Sequence, residues 1–225
     1  MGASFSLVIP TYNRAGVLYE TLLSLTKQEY NLFEVFIIDD GSTDDTKALV
    51  TKFINSYPQI KIEYVYQHNQ ERGAARNKGI LLAKNDYICF LDSDDLLLPN
   101  HFKIANKTIT QNKGLEVFFF SFQIIDQNGK VLETRPSIDD AKSQHLIKGN
   151  FISCNGIFIR NDIIKNNLFS EDRKIALFED WELWLRLSYG GVRRFEIPRV
   201  LFGYRWRRSS MSGKTDLMFA SGKRA

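Results

Sequence analysis

The chain has 225 residues, 44% hydrophobic and 13% aromatic, which is enough for one large globular domain with a sizeable core and argues against a disordered chain. Its two cysteines, Cys89 and Cys154, lie in unrelated contexts without CxxC or Cys/His spacing, so neither a zinc site nor a redox pair is expected, and both read as reduced thiols of a cytoplasmic protein. Net charge is +4, but residues 193–225 hold nine Lys and Arg against two acids, which leaves the remainder at −3. A basic end of this kind attracts a nucleotide diphosphate, an acidic membrane surface or nucleic acid, and charge alone does not separate them. Peripheral membrane association through this segment is one expectation. Specific nucleic-acid binding is not, because no RNA or DNA module is recognisable. No charged leader or cleavage site precedes Phe5, and the longest apolar run, Val117 to Ile125, is far short of the roughly 20 residues a membrane-spanning helix needs, so a soluble protein is expected.

The first half alternates short strand-like runs with helical patterns, the signature of βαβ units and a mostly parallel sheet. Strands are predicted at Phe5 to Pro10, Phe33 to Ile38, Ile60 to Tyr66 and Tyr87 to Leu91, with Pro10 ending the first ladder. Leu18, Leu22 and Leu25 recur at helical spacing in the first gap, as do Leu49 and Phe53, and Val50, Ile54 and Tyr57, in the second. Right-handed crossovers place all four carboxyl ends on one edge of the sheet, where ligands of open α/β sheets bind. After residue 114 the alternation stops. An aromatic strand at 117–125, a hairpin turn at Asn128-Gly129, a strand at Gly156 to Arg160, a helix from Asp180 to about Tyr189 and a β-like run from Arg199 to Trp206 make a second, smaller half. The expected division is a nucleotide-binding half, about 1–114, an acceptor-binding half, about 115–205, and a basic tail, 206–225.

Polar motifs stand at the strand ends. Pro10, Thr11, Tyr12 and Arg14 form a turn that either cradles a base or simply starts the next helix with Thr11 or Asn13 as cap. In Asp39-Asp40-Gly41-Ser42-Thr43 the hydroxyls are ready caps, but capping does not explain two adjacent acids that repel each other. Asp40 is the candidate to accept a hydrogen bond from a nucleobase N–H, which favours uracil. In the segment from Glu71 to Gly79, small residues would let a helix N-terminus approach an anion, and Arg76 is its candidate cation; solvated surface charge is the alternative. The strongest local signal is Asp92-Ser93-Asp94-Asp95, three carboxylates within four residues directly after an apolar strand. Hard oxygen donors with no His or Cys nearby suit Mg2+ or Mn2+ shared with a diphosphate, so the cluster is expected to form a metal–diphosphate site. In Phe178-Glu179-Asp180-Trp181-Glu182 the acids suit a first helical turn, and this segment alone does not identify a catalyst.

Together, Val8 to Arg14, Asp39 to Thr46, Gly73 to Gly79, Leu91 to Asp95 and Glu179-Asp180 resemble the family 2 glycosyltransferases of the GT-A fold, from residue 5 to about 212. The resemblance implies an α/β fold with a Rossmann-like nucleotide-binding half, and nucleotide contacts from Thr11, Tyr12, Asp40 and Arg76. It also implies a divalent cation at Asp94, with Asp92 touching ribose or metal and Asp95 orienting the loop. Asp180 would be the base that deprotonates an acceptor hydroxyl as it attacks the anomeric carbon of a nucleotide-sugar, with inversion. The acceptor would be a glycan, a lipid-linked saccharide or another hydroxyl compound, in synthesis of cell-surface polysaccharide. The processive members' Gln-x-x-Arg-Trp signature is absent, which favours single addition. Where the family often has Tyr-Arg-x-His, this chain has Tyr204-Arg205-Trp206-Arg207; a guanidinium cannot ligate metal but pairs with phosphate, which makes Arg207 a further nucleotide-binding candidate. A haloacid-dehalogenase-like phosphatase using Asp92 and Asp94, and a catalytically silent nucleotide-sugar-binding module, are the competing readings.

Overall fold

The computed structural model describes residues 2–135, 146–147 and 149–206. The first half follows the expected alternation: β1 (Phe5–Thr11), α1 (Ala15–Thr26), β2 (Phe33–Asp39), α2 (Thr46–Ser56), β3 (Ile62–Tyr66), α3 (Glu71–Leu82) and β4 (Tyr87–Phe90). The first half closes with β5 (Leu96–Leu97) and α4 (His101–Gln111), and the second half adds β6 (Val117–Ile125), β7 (Val131–Arg135), β8 (Ile157–Arg160), α5 (Asn161–Lys165), α6 (Glu179–Tyr189) and β9 (Arg194–Arg205). The helix α4 was not foreseen.

The strands form one sheet in the order β3-β2-β1-β4-β8-β6-β9-β5, with β7 paired to β6. The first four are mutually parallel, and the second half brings in antiparallel pairs at β4/β8, β6/β8 and β5/β9. Helices cover both faces, so β1 is buried on both sides. Its Phe5, Leu7 and Ile9 pack with Leu18, Leu22, Val50, Phe53 and Phe102 of α1, α2 and α4. Its Val8 packs on the other face with Ala75 and Ile80 of α3, Ile164 of α5, and Leu183 and Trp184 of α6. The run 117–125 reads as continuously apolar for the same reason: Phe118 and Phe120 belong to one core, Val117 and Phe119 to the other.

Two expected boundaries move. Pro10 does not end β1, which pairs through Pro10↔Ile38 and Thr11↔Asp39. In a parallel ladder alternate residues address opposite neighbours; the Val8 carbonyl already accepts from Leu91 N–H on the β4 side, so Pro10 points to that side too, beyond the last β1/β4 pair, Val8↔Phe90. The missing N–H costs nothing there. The last strand begins at Arg194, not Arg199, because it pairs in parallel with β6, and a register shift after Phe120↔Ile197 passes over Pro198 and Arg199 before Ser121↔Val200 resumes. The hairpin at 128–129 forms as expected, with Gly129 at φ 81° donating to the Asp126 carbonyl.

The chain winds outward from β1 to β2 and β3, then returns across β1 to β4. Strand order reverses between β1 and β4, and the crevice at that reversal is where an open α/β sheet binds its ligand. The loops after β1 and β4, which carry Thr11–Arg14 and Asp92–Asp95, flank it.

Candidate active site

The loops after β1 and β2 are tied to each other. Asn13, at φ 50°, donates its N–H to Ser42 Oγ (2.9 Å) and accepts at Oδ1 from the N–H groups of Thr43 (2.9 Å) and Asp44 (3.4 Å). Asn13 thus caps no helix. Nor do the hydroxyls of the second loop: Asp44 accepts from Thr46 N–H (3.1 Å) and, with its other oxygen, from Ala15 N–H (3.0 Å). The two adjacent acids divide the work. Asp39, 1% exposed, faces inward and accepts from Ser42 N–H (2.8 Å) and the Tyr64 hydroxyl. Asp40, also buried, accepts at Oδ1 from Gln67 Nε2 (2.8 Å) and Gln70 N–H (2.9 Å). Pro10 is buried, Tyr12 and Arg14 are exposed, and Thr11 is buried with a hydroxyl that finds no hydrogen-bond partner among the described residues.

The acidic loop leaves β4 as a turn closed by Asp95 N–H to the Asp92 carbonyl (3.0 Å). Ser93 is buried, and its carbonyl accepts from the Thr21 hydroxyl (3.0 Å). Asp95 is 1% exposed; burial, reinforced by the charges of Asp92 and Asp94, pushes its carboxyl well above the usual range. Asn155 donates to one of its oxygens and Arg205 N–H (2.6 Å) to the other. Asp95 is therefore committed inside the protein.

Asp92 and Asp94 stand on either side of Ser93, and the Asp92 side chain is 29% exposed. Among the described residues no group of three or more His, Cys, Asp or Glu side chains could enclose a metal. Two hard carboxylates fit a Mg2+ or Mn2+ ion whose other ligands are phosphate oxygens and water.

Arg76 lies on α3, fully buried. Its Nη2 donates to Asp92 Oδ1 (2.9 Å) and its Nη1 to Glu179 Oε1 (2.6 Å), while Phe169 covers the guanidinium at 5.4 Å. Arg72 adds a second contact to Glu179 and donates to the Ala176 carbonyl (2.9 Å). The cation read from sequence as facing a ligand anion thus faces two carboxylates of the protein. The small residues of α3 likewise meet protein: a Cβ on Gly73 would lie 2.4 Å from the Ser170 carbonyl oxygen, and one on Gly79 2.4 Å from the Val8 side chain.

Asp180 stands in the first turn of α6, beside Glu179. It accepts from Trp181 N–H (2.7 Å) and Asn150 Nδ2 (3.2 Å). Burial, with the Glu179 charge adding to it, pushes its carboxyl up to about 6, against the pull of Arg76 and Arg72. A carboxylate tuned to that range is suited to general-base work near neutrality. The helix is fastened by Trp181 Nε1 to the Leu146 carbonyl (2.7 Å) and Trp184 Nε1 to the Ile152 carbonyl (3.3 Å).

Arg207 and residues 208–225 lie outside the described residues. Three residues to which the sequence reading gave no role shape the site: Glu179, which anchors Arg76, and Asn155 and Arg205, which hold the acidic loop. Glu179 and Arg205 stood inside motifs already singled out, and Asn155 carried its own signal, an Asn-Gly pair directly before a strand.

The glycosyl transferase family 2 model matches residues 6–167. The amylovoran biosynthesis glycosyltransferase AmsB of Erwinia amylovora is 30% identical over 210 residues, covering 89% of this chain and 69% of that one. WfaP of Escherichia coli, a UDP-Glc:alpha-D-GlcNAc-diphosphoundecaprenol beta-1,3-glucosyltransferase, is 30% identical over 209 residues, 92% of this chain and 79% of that one. An uncharacterized glycosyltransferase of Rickettsia bellii is 34% identical over 207 residues, 88% of this chain but 29% of its own, so this chain spans under a third of that relative's length. Among solved structures, S. aureus TarS 1-349 in complex with UDP-GlcNAc superposes with a TM-score of 0.77 at 23% identity over 93% of this chain and 60% of that one. The mannosyltransferase PcManGT of Pyrobaculum calidifontis, with GDP-Man and Mn2+, does so with 0.73 at 15% identity, over 100% of this chain and 65% of that one. These two likenesses bear on the fold. The family match answers the phosphatase reading: the chain belongs to glycosyl transferase family 2 and has the α/β GT-A fold.

Proposed function

We propose that this chain is an inverting, single-addition hexosyltransferase that moves a sugar from a UDP-sugar to an acceptor hydroxyl. The observation that carries it is the chain of contacts Asp92–Arg76–Glu179, which joins the acidic loop after β4 to the helix start bearing Asp180. One buried guanidinium thereby sets the donor-side carboxylate and the base relative to each other. Asp180 takes the proton from the acceptor hydroxyl while its oxygen attacks the anomeric carbon from the face opposite the diphosphate, and the nucleoside diphosphate leaves with the bonding electrons, so configuration inverts. Asp40, with Oδ1 held by Gln67 and Gln70, offers its other oxygen to a base N–H. Pro10, Thr11, Tyr12 and Arg14 border the base, and Arg207 pairs with phosphate oxygens. A divalent cation held by Asp92 and Asp94 would neutralise the charge that develops on the leaving diphosphate.

UDP is favoured by the acceptor that the Asp40 carboxylate offers to a uracil N–H, and by the UDP-GlcNAc-bound neighbour and UDP-Glc-using relative named above. The same relative's lipid-linked acceptor and the amylovoran relative favour a glycan or lipid-linked saccharide as acceptor, in polysaccharide synthesis. No helix among the described residues is long and apolar enough to cross a membrane. The basic C-terminal segment is the proposed point of peripheral contact with such an acceptor, at the cytoplasmic face. The test is thermal unfolding with Mn2+ across a panel of nucleotide-sugars. Mass action at about 100 times Kd adds roughly 2.7 kcal/mol to the folded state. A manganese-dependent rise with UDP-sugars is expected, and no response to any uridine or guanosine diphosphate would refute the proposal.

A further inference from the structure

We infer that Asn155, a residue of the second half, is a positioning residue for the cation and diphosphate site, acting through a clamp it forms with Asp95 and Arg205. This inference rests on the proposed function of the acidic loop. Asn155 is 1% exposed, on the loop before β8, where its backbone bridges to Phe90 at the end of β4. Its two amide atoms hold the two ends of the loop: Oδ1 accepts from Asp92 N–H (2.7 Å) and Nδ2 donates to Asp95. Because the amide is planar and rigid, one side chain fixes the separation of residues 92 and 95. The other oxygen of Asp95 accepts from Arg205 N–H (2.6 Å), and the Arg205 side chain continues the grip, with Nε donating to the Asp94 carbonyl (2.8 Å), Nη1 to the Asp126 and Gln127 carbonyls and Nη2 to Glu20 (2.6 Å).

A four-residue turn needs only its own Asp95 N–H to Asp92 carbonyl bond to close. The additional bonds act on residues 92, 94 and 95 from outside the turn, and what they determine is where the Asp92 and Asp94 carboxylates stand. All of them are made by Asn155 in the β8 loop or Arg205 at the end of β9, both in the second half, and Arg205 is held in turn by the β6–β7 turn and by Glu20 of the first half. The next residue, Gly156, is at φ 74°, and a Cβ there would lie 2.4 Å from the Phe202 ring, so the position of Asn155 is itself set by the packing of β9. The half expected to bind acceptor therefore holds the loop that binds donor.

The bond pattern supplies its own test. In Asn155→Asp, two carboxylates face each other and Asp95 loses its donor. In the double variant Asp95→Asn/Asn155→Asp, amide and carboxylate trade places. The amide at 95 then donates to the carboxylate at 155 and accepts from Arg205 N–H, and the carboxylate at 155 accepts from Asp92 N–H, so every bond of the clamp is restored. Mn2+ binding is followed by the loss of the free-ion electron paramagnetic resonance signal, with and without UDP, on protein whose thermal unfolding confirms that it is folded at the assay temperature. Asn155→Asp and Asn155→Ala are expected to weaken Mn2+–UDP binding roughly 10–100-fold, the loss typical when a partner behind a metal ligand is removed. The double variant is expected to recover to within a few-fold of wild type. If folded Asn155→Ala binds Mn2+–UDP as wild type does, or if the folded double variant is as weak as Asn155→Asp, this inference falls while the proposed function stands. A wild type that takes up no Mn2+ with UDP overturns both. Should Asn155→Ala fail to fold, the double variant against Asp95→Asn alone decides: recovery by the second substitution supports the clamp, and no recovery overturns it.

Discussion

Replacing Arg76 by Met tests the contact that carries the functional reading. Methionine keeps the length and apolar volume of the side chain and removes the guanidinium, leaving Glu179, whose side chain is 2% exposed, to face Arg72 at 3.4 Å. Taking one partner from a buried ion pair costs about 3–5 kcal/mol, because the other charge stays buried without its partner. Arg72 is 37% exposed and partly compensates Glu179, which puts the expected loss near the lower end, about 3 kcal/mol. For a chain of this size each kcal/mol moves Tm by roughly 2–4 °C, so a fall of about 6–12 °C is expected by calorimetry. Removing both charges in Arg76→Met/Glu179→Leu should recover most of it, since apolar replacement of a buried pair is often neutral. The control is Lys103→Ala, which breaks a 2.8 Å pair with Glu29 whose side chains are 60% and 45% exposed, and should cost under about 1 kcal/mol. If Arg76→Met unfolds no more easily than Lys103→Ala, the guanidinium does not hold the two halves of the site together, and the reasoning from burial fails.

Asp180 must be ionised to take a proton, so turnover should fall about tenfold per pH unit below its value of about 6, and Asp180→Asn should lose roughly 10²–10⁴-fold in kcat, read by release of the nucleoside diphosphate. Because its pKa is raised on folding from 3.8, the contribution of Asp180 to stability is present below about pH 4 and lost as pH rises through 6; Asp180→Asn should therefore melt above wild type at neutral pH, with the gap closing toward pH 4. Gly73→Ala forces a Cβ to 2.4 Å from the Ser170 carbonyl oxygen and should lower Tm, whereas at Gly16, in the first turn of α1, a Cβ meets nothing within 4 Å and alanine should gain about 0.4–1 kcal/mol. Equal Tm changes at the two glycines would refute the packing account of α3.

What could be read in the sequence was whatever a short segment decides for itself. Strand, polar turn and helix succeed one another within some ten residues, and the crossover rule carries every strand end to one edge, so the segments holding Thr11, Asp40 and Asp92 were brought to one edge without knowledge of the fold. Partners were beyond that reach: Glu179 is 103 residues from Arg76, and Arg205 is 110 from Asp95. An arginine among small residues has the same local pattern whether it meets a ligand or a distant glutamate, and only the packing of α3 against the start of α6 distinguishes them.

Capping alone does not account for the two acids of Asp39-Asp40 or the three of Asp92 to Asp95, whose mutual repulsion is a cost. The structure shows what relieves it. In each cluster one carboxylate turns inward and is satisfied by donors of the protein, Asp39 by Ser42 and Tyr64, Asp95 by Asn155 and Arg205. That bonded acid fixes the loop on which its neighbour stands. The buried member of such a pair costs desolvation free energy, and its donors offset that cost only if they are held in place, which is why Asn155 and Arg205 are themselves 1% and 3% exposed. An acidic cluster at the end of a parallel strand thus includes a carboxylate that anchors its own loop, and the anchors Asp39 and Asp95 are recognised by having both carboxylate oxygens bonded to donors of the protein.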